Sequence, residues 1–205
     1  MPSRPSDAPL DAPLAWGYAD ITVGFVDIVG FTEICAELPP LAVVTLLDDY
    51  FTQLDALCEH HRLSSIKTIG DAYMLAGGLA QEETDGHADR MLAFALEVLL
   101  LAEGHPGVQG SPLRIRVGLA TGPVVAGVLR GNRMQIDLWG DTVNVASRLC
   151  DQAMPLGLAM DEITYLSLSP ETLSSIVLEA EAIEVEGRGR LEAYRYALRP
   201  LDQKS

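Results

Sequence analysis

Two aspartates stand where apolar segments of the sequence end. Asp27 closes the β-branched segment ITVGFVD, and Asp71 follows Gly70 between two short apolar segments. Two carboxylates at neighbouring strand ends repel each other unless a cation lies between them, and hard divalent ions prefer oxygen ligands. The pattern therefore indicates a site for an ion such as Mg²⁺, with the simple support of two turns as the alternative.

Backbone amides directly after Asp27 form a second candidate feature. Val29, Gly30, Phe31 and Thr32 lie where a helix is predicted to begin. Free N–H groups and the helix dipole favour anions at such a position, so a triphosphate is one candidate ligand. Most turns of this kind bind only water, which is the alternative.

An amide and a guanidinium share one face of a predicted helix. Asn144 and Arg148 are four residues apart and so project in the same direction. Together they could stabilise charge that develops on a phosphorus centre. Arg148 could equally pair with Asp151 or Asp141 on the surface.

Lys67 and Asp137 each occupy the middle of a predicted strand, where a charge faces either solvent or a cleft. If both face one pocket, they match adenine, because adenine offers a donor at N6 and an acceptor at N1. Guanine reverses that pattern. Arg116 and Arg188 could contact phosphates or could simply be exposed charges.

No nucleophilic arrangement of Ser, His and Asp or of Cys and His is recognisable, so covalent catalysis is disfavoured. The four histidines lie at predicted helix ends or loops and are interpreted as surface residues; they are His60, His61, His87 and His105. The three cysteines fit neither a disulfide framework nor a Cys/His zinc spacing. A reduced, cytoplasmic chain without structural zinc is therefore expected.

Composition excludes several classes of function. The 205 residues contain 14 Lys and Arg against 29 Asp and Glu, a net charge of −15 that repels nucleic acid and anionic lipid. The apolar run at 91–102 contains Glu97 and is shorter than the roughly 20 residues that a membrane-spanning helix needs. With 48% apolar and 21% charged residues, one compact core is expected.

Strand and helix patterns alternate along the chain after a Pro-rich start. The order predicts an α+β class with a mixed or antiparallel sheet covered by helices on one face, a ferredoxin-like outline. Strands are predicted at 21–27, 64–69, 72–78, 113–120, 134–138, 158–160, 177–185 and 192–198, with helices after Gly30 and at 39–61, 84–102 and 142–152.

Four segments together resemble one family, the class III nucleotidyl cyclases. They are FVDIVGFT (25–32), KTIGDAYM (67–74), RVGLATGPVVAGV (116–128) and IDLWGDTVNVASRL (136–149). Their order and spacing match the family's catalytic domain over 18–198. Residues 1–17 are then a flexible N-terminal segment, and 199–205 are a C-terminal tail.

The resemblance implies a role for each candidate at the metal and phosphate side. Asp27 and Asp71, with the carbonyl of Ile28, correspond to ligands of two divalent ions, Mg²⁺ or Mn²⁺. The turn from Val29 through Thr32 corresponds to the triphosphate-binding turn.

The other candidates correspond to groups that bind the base and the reacting phosphate. Lys67 and Asp137 match the purine-selecting pair in its adenylyl cyclase form. Asn144 and Arg148 match the transition-state pair.

Two arginines complete this correspondence. Arg116 matches a phosphate contact on the metal side. Arg188 stands where the family commonly has a Lys on the terminal phosphates.

Family members build the active site between two domains packed head to tail. Because this chain holds both halves of one site, the resemblance implies a homodimer with two shared sites and an inactive monomer. The implied activity is conversion of ATP to 3′,5′-cyclic AMP and pyrophosphate for intracellular signalling. A guanylate cyclase and a catalytically silent nucleotide-binding regulatory module are the alternatives.

Overall fold

The computed structural model describes residues 14–80, 85–105, 107, 113–130, 134–185 and 189–198. Strands and helices alternate along this part of the chain. In order they are β1 (Leu14–Ile28), α1 (Phe31–Glu37), α2 (Pro40–His60), β2 (Ser64–Ile69), β3 (Ala72–Gly77), α3 (His87–Gly104), β4 (Ile115–Arg130), β5 (Met134–Trp139), α4 (Asp141–Gln152), β6 (Gly157–Asp161), α5 (Glu162–Leu166), α6 (Pro170–Ser175), β7 (Glu179–Val185) and β8 (Gly189–Ala197).

The strands form one eight-stranded sheet in the order β2-β3-β1-β4-β6-β8-β7, with β5 paired to β4 outside this path. Every pairing is antiparallel except that of β4 with β6, which is parallel. A parallel pair needs a long crossover, and here the crossover contains β5 and α4. The mixed sheet and the α+β class predicted from the sequence are confirmed.

Helices cover both faces of the sheet, so the expectation of helices on one face is wrong. Val26 and Ile28 of β1 pack in one core with residues of α2 and α3. Val23 and Phe25, on the opposite face, pack in a second core with residues of α4. Because β1 is apolar on both faces, each face needs a covering layer. The short apolar pattern of α4 did not indicate which face that helix covers.

β1 and β4 are longer than the sequence predicts, because each supplies the other with a partner strand. β1 begins at Leu14 and β4 continues to Arg130, so that 14–18 pair with 124–128. β4 therefore continues through 121–123, beyond the strand end predicted at residue 120. Pro123 is tolerated because it falls where the register shifts between Tyr18 and Ile21, and a proline at an irregularity removes no ladder hydrogen bond.

Two short helices after β6 are absent from the sequence-based prediction. The side chain of Asp161 accepts a hydrogen bond from the backbone N–H of Thr164 at the start of α5. The side chain of Ser169 caps α6 in the same way, and Pro170 occupies the first turn. In the described part of the chain, no helix combines the length and apolar character needed to cross a membrane.

Candidate active site

The structure brings Asp27 and Asp71 together. Asp27 is the penultimate residue of β1, and Asp71 lies in the turn between β2 and β3, where Gly70 adopts a φ of +64° that suits glycine. Because β3 pairs with β1, this turn lies beside the end of β1. Burial raises the pKa of Asp71, and the charge of Asp27 and a hydrogen bond with it raise that pKa further.

Arg116 supplies the positive charge that this pair of carboxylates lacks. It is the register partner of Asp27 on β4, and its Nε and Nη2 lie 2.8 Å and 2.7 Å from Oδ2 of Asp27. Burial lowers the pKa of Arg116, but the hydrogen bond and charge of Asp27 outweigh burial and raise it. The predicted phosphate contact of Arg116 thus competes with its bond to Asp27.

Asp151, at the end of α4, binds the other edge of the same guanidinium. Nη1 of Arg116 donates to the carbonyl oxygen of Asp151 at 2.7 Å, and Nη2 donates to its Oδ1 at 3.1 Å. The sequence suggests Asp151 only as a partner for Arg148. Its true partner is 35 residues away, and only the position of α4 on the sheet brings the two together.

The candidate ligand atoms at Asp27, Ile28 and Asp71 are all oxygens. The carboxylates of Asp27 and Asp71 are hard ligands, and Ile28 can offer only its carbonyl oxygen because its side chain is a hydrocarbon. Mg²⁺ and Mn²⁺ prefer such donors over nitrogen or sulfur. The residues present therefore fit the divalent ions that the sequence implies.

The turn after β1 offers fewer free amides than the sequence suggests. The N–H of Val29 donates to the carbonyl oxygen of Arg114 at 2.8 Å and is not available to a ligand. Gly30 has a φ of +76° and begins α1. Gly30, Phe31 and Thr32 remain as candidates, because N–H groups in the first turn of a helix lack intrahelical acceptors.

Lys67 and Asp137 form an ion pair although they are 70 residues apart. Nζ of Lys67 donates to Oδ2 of Asp137 at 2.6 Å, and the two side chains are 24% and 11% exposed. β2 is an edge strand and β5 lies beyond β4, yet the two strands are in contact. The sheet must therefore curl, and this curl places both charges in one half-buried position.

Asn144 and Arg148 project from the outer face of α4. The inner face of this helix carries Val145 and Leu149 into the core, whereas Asn144 is exposed and Arg148 is half-buried. Within the described residues, neither side chain has a hydrogen bond or an ion pair. The predicted surface pairing of Arg148 with Asp151 is not formed, since Asp151 binds Arg116.

Across the described ranges of a single chain, no hydrogen bond or ion pair joins the three groups of candidates to one another. Arg116 links Asp27 to Asp151 of α4, but among the described residues it makes no hydrogen bond or ion pair with Asn144 or Arg148. Arg188 lies outside the residues that the structure describes.

Comparisons with known proteins identify the family to which this fold belongs. The model of the adenylate and guanylate cyclase catalytic domain family matches residues 15–198. Guanylate cyclase soluble subunit beta-2 of Rattus norvegicus is 38% identical over 174 residues, which are 84% of this chain and 25% of that protein. An adenylate cyclase of Mycobacterium tuberculosis (strain ATCC 25618 / H37Rv) is 36% identical over 177 residues, 86% of this chain and 39% of that relative.

Solved structures share the fold. The crystal structure of the catalytic core of a rhodopsin-guanylyl cyclase with converted specificity, in complex with ATPαS, has a TM-score of 0.81 and 33% identity. The similarity covers 90% of this chain and 98% of that one. Against the two curated relatives above, by contrast, the chain spans only 25% and 39% of the full length.

Proposed function

Because this chain belongs to the family of adenylate and guanylate cyclase catalytic domains, we propose that it converts ATP to 3′,5′-cyclic AMP and pyrophosphate. The 3′-oxygen of the ribose forms a bond to the α-phosphorus, and the bond between the α-phosphorus and the bridging oxygen breaks. The hydroxyl proton is lost, and pyrophosphate leaves.

The proposal that ATP is the substrate depends on the Lys67–Asp137 ion pair. Relatives of both kinds exist, so overall similarity does not distinguish the two nucleotides. The pair, held at 2.6 Å, presents an ammonium donor beside a carboxylate acceptor. This combination matches N1 and N6 of adenine, whereas guanine would set its donor against the ammonium and its acceptor against the carboxylate.

Asp27, Asp71 and the carbonyl of Ile28 are proposed to hold two Mg²⁺ or Mn²⁺ ions. Bound there, such ions would neutralise the triphosphate and lower the pKa of the 3′-hydroxyl. Without them, Arg116 offsets part of the charge of Asp27 through two short contacts. Arg116 therefore acts first as a positioning residue for Asp27, with a phosphate contact as its proposed second role.

The remaining residues are proposed to bind and orient the polyphosphate. The amides of Gly30, Phe31 and Thr32 face the anion, and Arg188 contacts the terminal phosphates. Asn144 and Arg148 stabilise charge on the α-phosphate in the transition state, where a guanidinium can donate two parallel hydrogen bonds.

Two copies of the chain are proposed to pair head to tail. Asn144 and Arg148 have no partner among the described residues of their own chain, which leaves both available to a nucleotide bound to the carboxylates of the other copy. Each dimer then contains two equivalent sites. The net charge of −15 makes the bound cations essential for admitting a polyanion.

Separate assays with ATP and with GTP, each with Mg²⁺ and with Mn²⁺, test the proposal. We expect cyclic AMP from ATP at a kcat/KM at least tenfold above that for cyclic GMP formation. Preferential use of GTP would identify a guanylate cyclase instead. No turnover with either nucleotide, despite nucleotide binding measured by calorimetry, would identify the silent regulatory module.

A further inference from the structure

Two histidines and a glutamate meet where α2 ends against α3, and none of the three belongs to the site proposed above. His60 is the last residue of α2, His61 follows it, and Glu97 lies in the middle of α3. One ligand atom from each of these three residues lies within 4.8 Å of the others. The sequence had suggested only that both histidines are surface residues.

His61 is the buried member of this His60–His61–Glu97 cluster. Its side chain is 11% exposed, and its ring packs edge-on against Phe94. Nε2 of His61 is buried and makes no hydrogen bond within the described residues, although Oε2 of Glu97 lies 3.2 Å away. A buried imidazole nitrogen that faces a carboxylate without hydrogen-bond geometry has an unused lone pair or proton, which is costly.

The distance between these two atoms suits two ligands of one tetrahedral ion. Bonds of about 2.0–2.1 Å from zinc to nitrogen and oxygen place two tetrahedral ligand atoms about 3.3 Å apart. The observed 3.2 Å between His61 and Glu97 is close to this value. His60 is exposed, and one of its ring nitrogens lies within 4.8 Å of the ligand atoms of His61 and Glu97.

We propose that His60, His61 and Glu97 form a Zn²⁺ site with water as the fourth ligand. Two imidazoles and one carboxylate are typical zinc ligands, whereas Mg²⁺ and Mn²⁺ prefer the all-oxygen donors at Asp27 and Asp71. The two proposed sites thus differ in their donor atoms and therefore in the metal ion that each one favours. The absence of a Cys/His zinc spacing does not bear on this site, because it uses no cysteine.

Bound zinc would fasten the C-terminal end of α2 to α3. Both helices lie in the core on the same face of the sheet, where Leu54 and Phe94 are fully buried. An ion that binds only the folded chain stabilises it by mass action, so zinc should raise the midpoint of thermal unfolding. The inference does not depend on the proposed cyclase activity.

Calorimetric titration with Zn²⁺ tests the site in the full chain with Asp27→Asn and Asp71→Asn, which removes the competing carboxylates. We expect one zinc ion per chain and a higher unfolding midpoint. His61→Gln, His60→Gln and Glu97→Gln should each weaken binding at least tenfold. Glu59→Gln is the matched control, since it removes one exposed carboxylate from the same helix end and should leave binding unchanged.

Co²⁺ provides a spectroscopic readout of the same site. A tetrahedral site with nitrogen and oxygen ligands should give visible d–d bands without a thiolate charge-transfer band, and the bands should vanish in Glu97→Gln. Absence of zinc binding in the carboxylate-free background would overturn the proposal. So would unchanged affinity in both His60→Gln and Glu97→Gln, two exposed positions that remain informative if His61→Gln fails to fold.

Discussion

Lys67 and Asp137 form an ion pair, so substitution of either residue alone also changes the electrostatic environment of the other. Replacing Lys67 by Glu would set two carboxylates at the position of a 2.6 Å ion pair, where like charges cannot both ionise. Loss of activity in that single variant would therefore report repulsion as well as nucleotide choice. A double substitution that also removes the charge of Asp137 separates the two effects.

Nucleotide preference should shift in the double variant Lys67→Glu with Asp137→Cys. Glutamate accepts from the N1 and amino donors of guanine, and cysteine removes the acceptor that adenine N6 needs. We expect the ratio of kcat/KM for ATP to that for GTP to fall at least tenfold, measured by cyclic nucleotide formation.

An ion pair of equal length elsewhere provides the control. Arg195 and Glu181 lie 2.6 Å apart between β8 and β7, and Arg195→Glu with Glu181→Cys should leave the ATP to GTP ratio unchanged. An unaltered ratio in the Lys67 and Asp137 variant would remove the basis for assigning ATP as the substrate.

Asp27→Ala should abolish cyclic AMP formation while leaving the dimer intact. The substitution removes a proposed metal ligand, but Arg116 keeps its two contacts with Asp151, so the start of β4 stays in place. Cyclic AMP assays and analytical ultracentrifugation measure the two outcomes. Asp49→Ala, which removes an exposed carboxylate on α2, should retain activity; full activity in Asp27→Ala would refute the metal assignment.

The placement of α4 depends on one glycine of β4. A Cβ atom at Gly118 would overlap the backbone nitrogen of Cys150 and the carbonyl oxygen of Ala146. α4 therefore packs directly on the strand backbone, which brings Asp151 to Arg116 and orients Asn144 and Arg148 outward. Any larger residue at 118 must push the helix away from the sheet.

Gly118→Ala should destabilise the protein by about 3 kcal/mol or more, because the overlap is with backbone atoms that cannot rotate aside. Thermal or urea unfolding measures the change. Gly17→Ala is the matched control on β1, where nothing lies within 4 Å of the added Cβ, and it should change stability little. Equal effects of the two substitutions would contradict the close packing of α4 on β4.

At the scale of the whole molecule, no hydrogen bond or ion pair among the described residues joins Asp27 and Asp71 to Asn144 and Arg148. Asp27 and Asp71 lie together near the end of β1, while Asn144 and Arg148 lie on the outer face of α4. In the proposed head-to-tail pair of chains, each copy would supply one of these two groups to a shared site. Activity should then depend on protein concentration wherever the dimer dissociates.

Mixing two inactive variants tests the shared site. Asp27→Ala and Arg148→Ala damage opposite halves, so a heterodimer keeps one intact site of two. Because half of the dimers in an equal mixture are heterodimers, about one quarter of wild-type activity should return. Mixing Asp27→Ala with Asp71→Ala is the control and should restore nothing; no recovery in the first mixture despite demonstrated heterodimers would exclude the head-to-tail arrangement.

Local patterns were sufficient for most elements and for the identity of the candidate residues. The apolar run that ends in Asp27, the spacing along α2 and the glycine turn at Gly70 each depend on neighbours in the chain. Short-range rules therefore predicted them. The lengths of β1 and β4 were not predictable, because each depends on a partner strand about a hundred residues away.

The sequence by itself determined the residue types, the mixed α+β class and the spacing of the four family motifs, because these properties belong to the chain. Only the tertiary structure decided which residues that are distant in the sequence contact each other. The curl of the sheet brings Lys67 and Asp137 into an ion pair. The close packing of α4 on Gly118 places Asp151 beside Arg116, so that Asp151 binds Arg116 and not Arg148. Contacts between distant residues depend on how layers pack, and packing is a property of the whole fold.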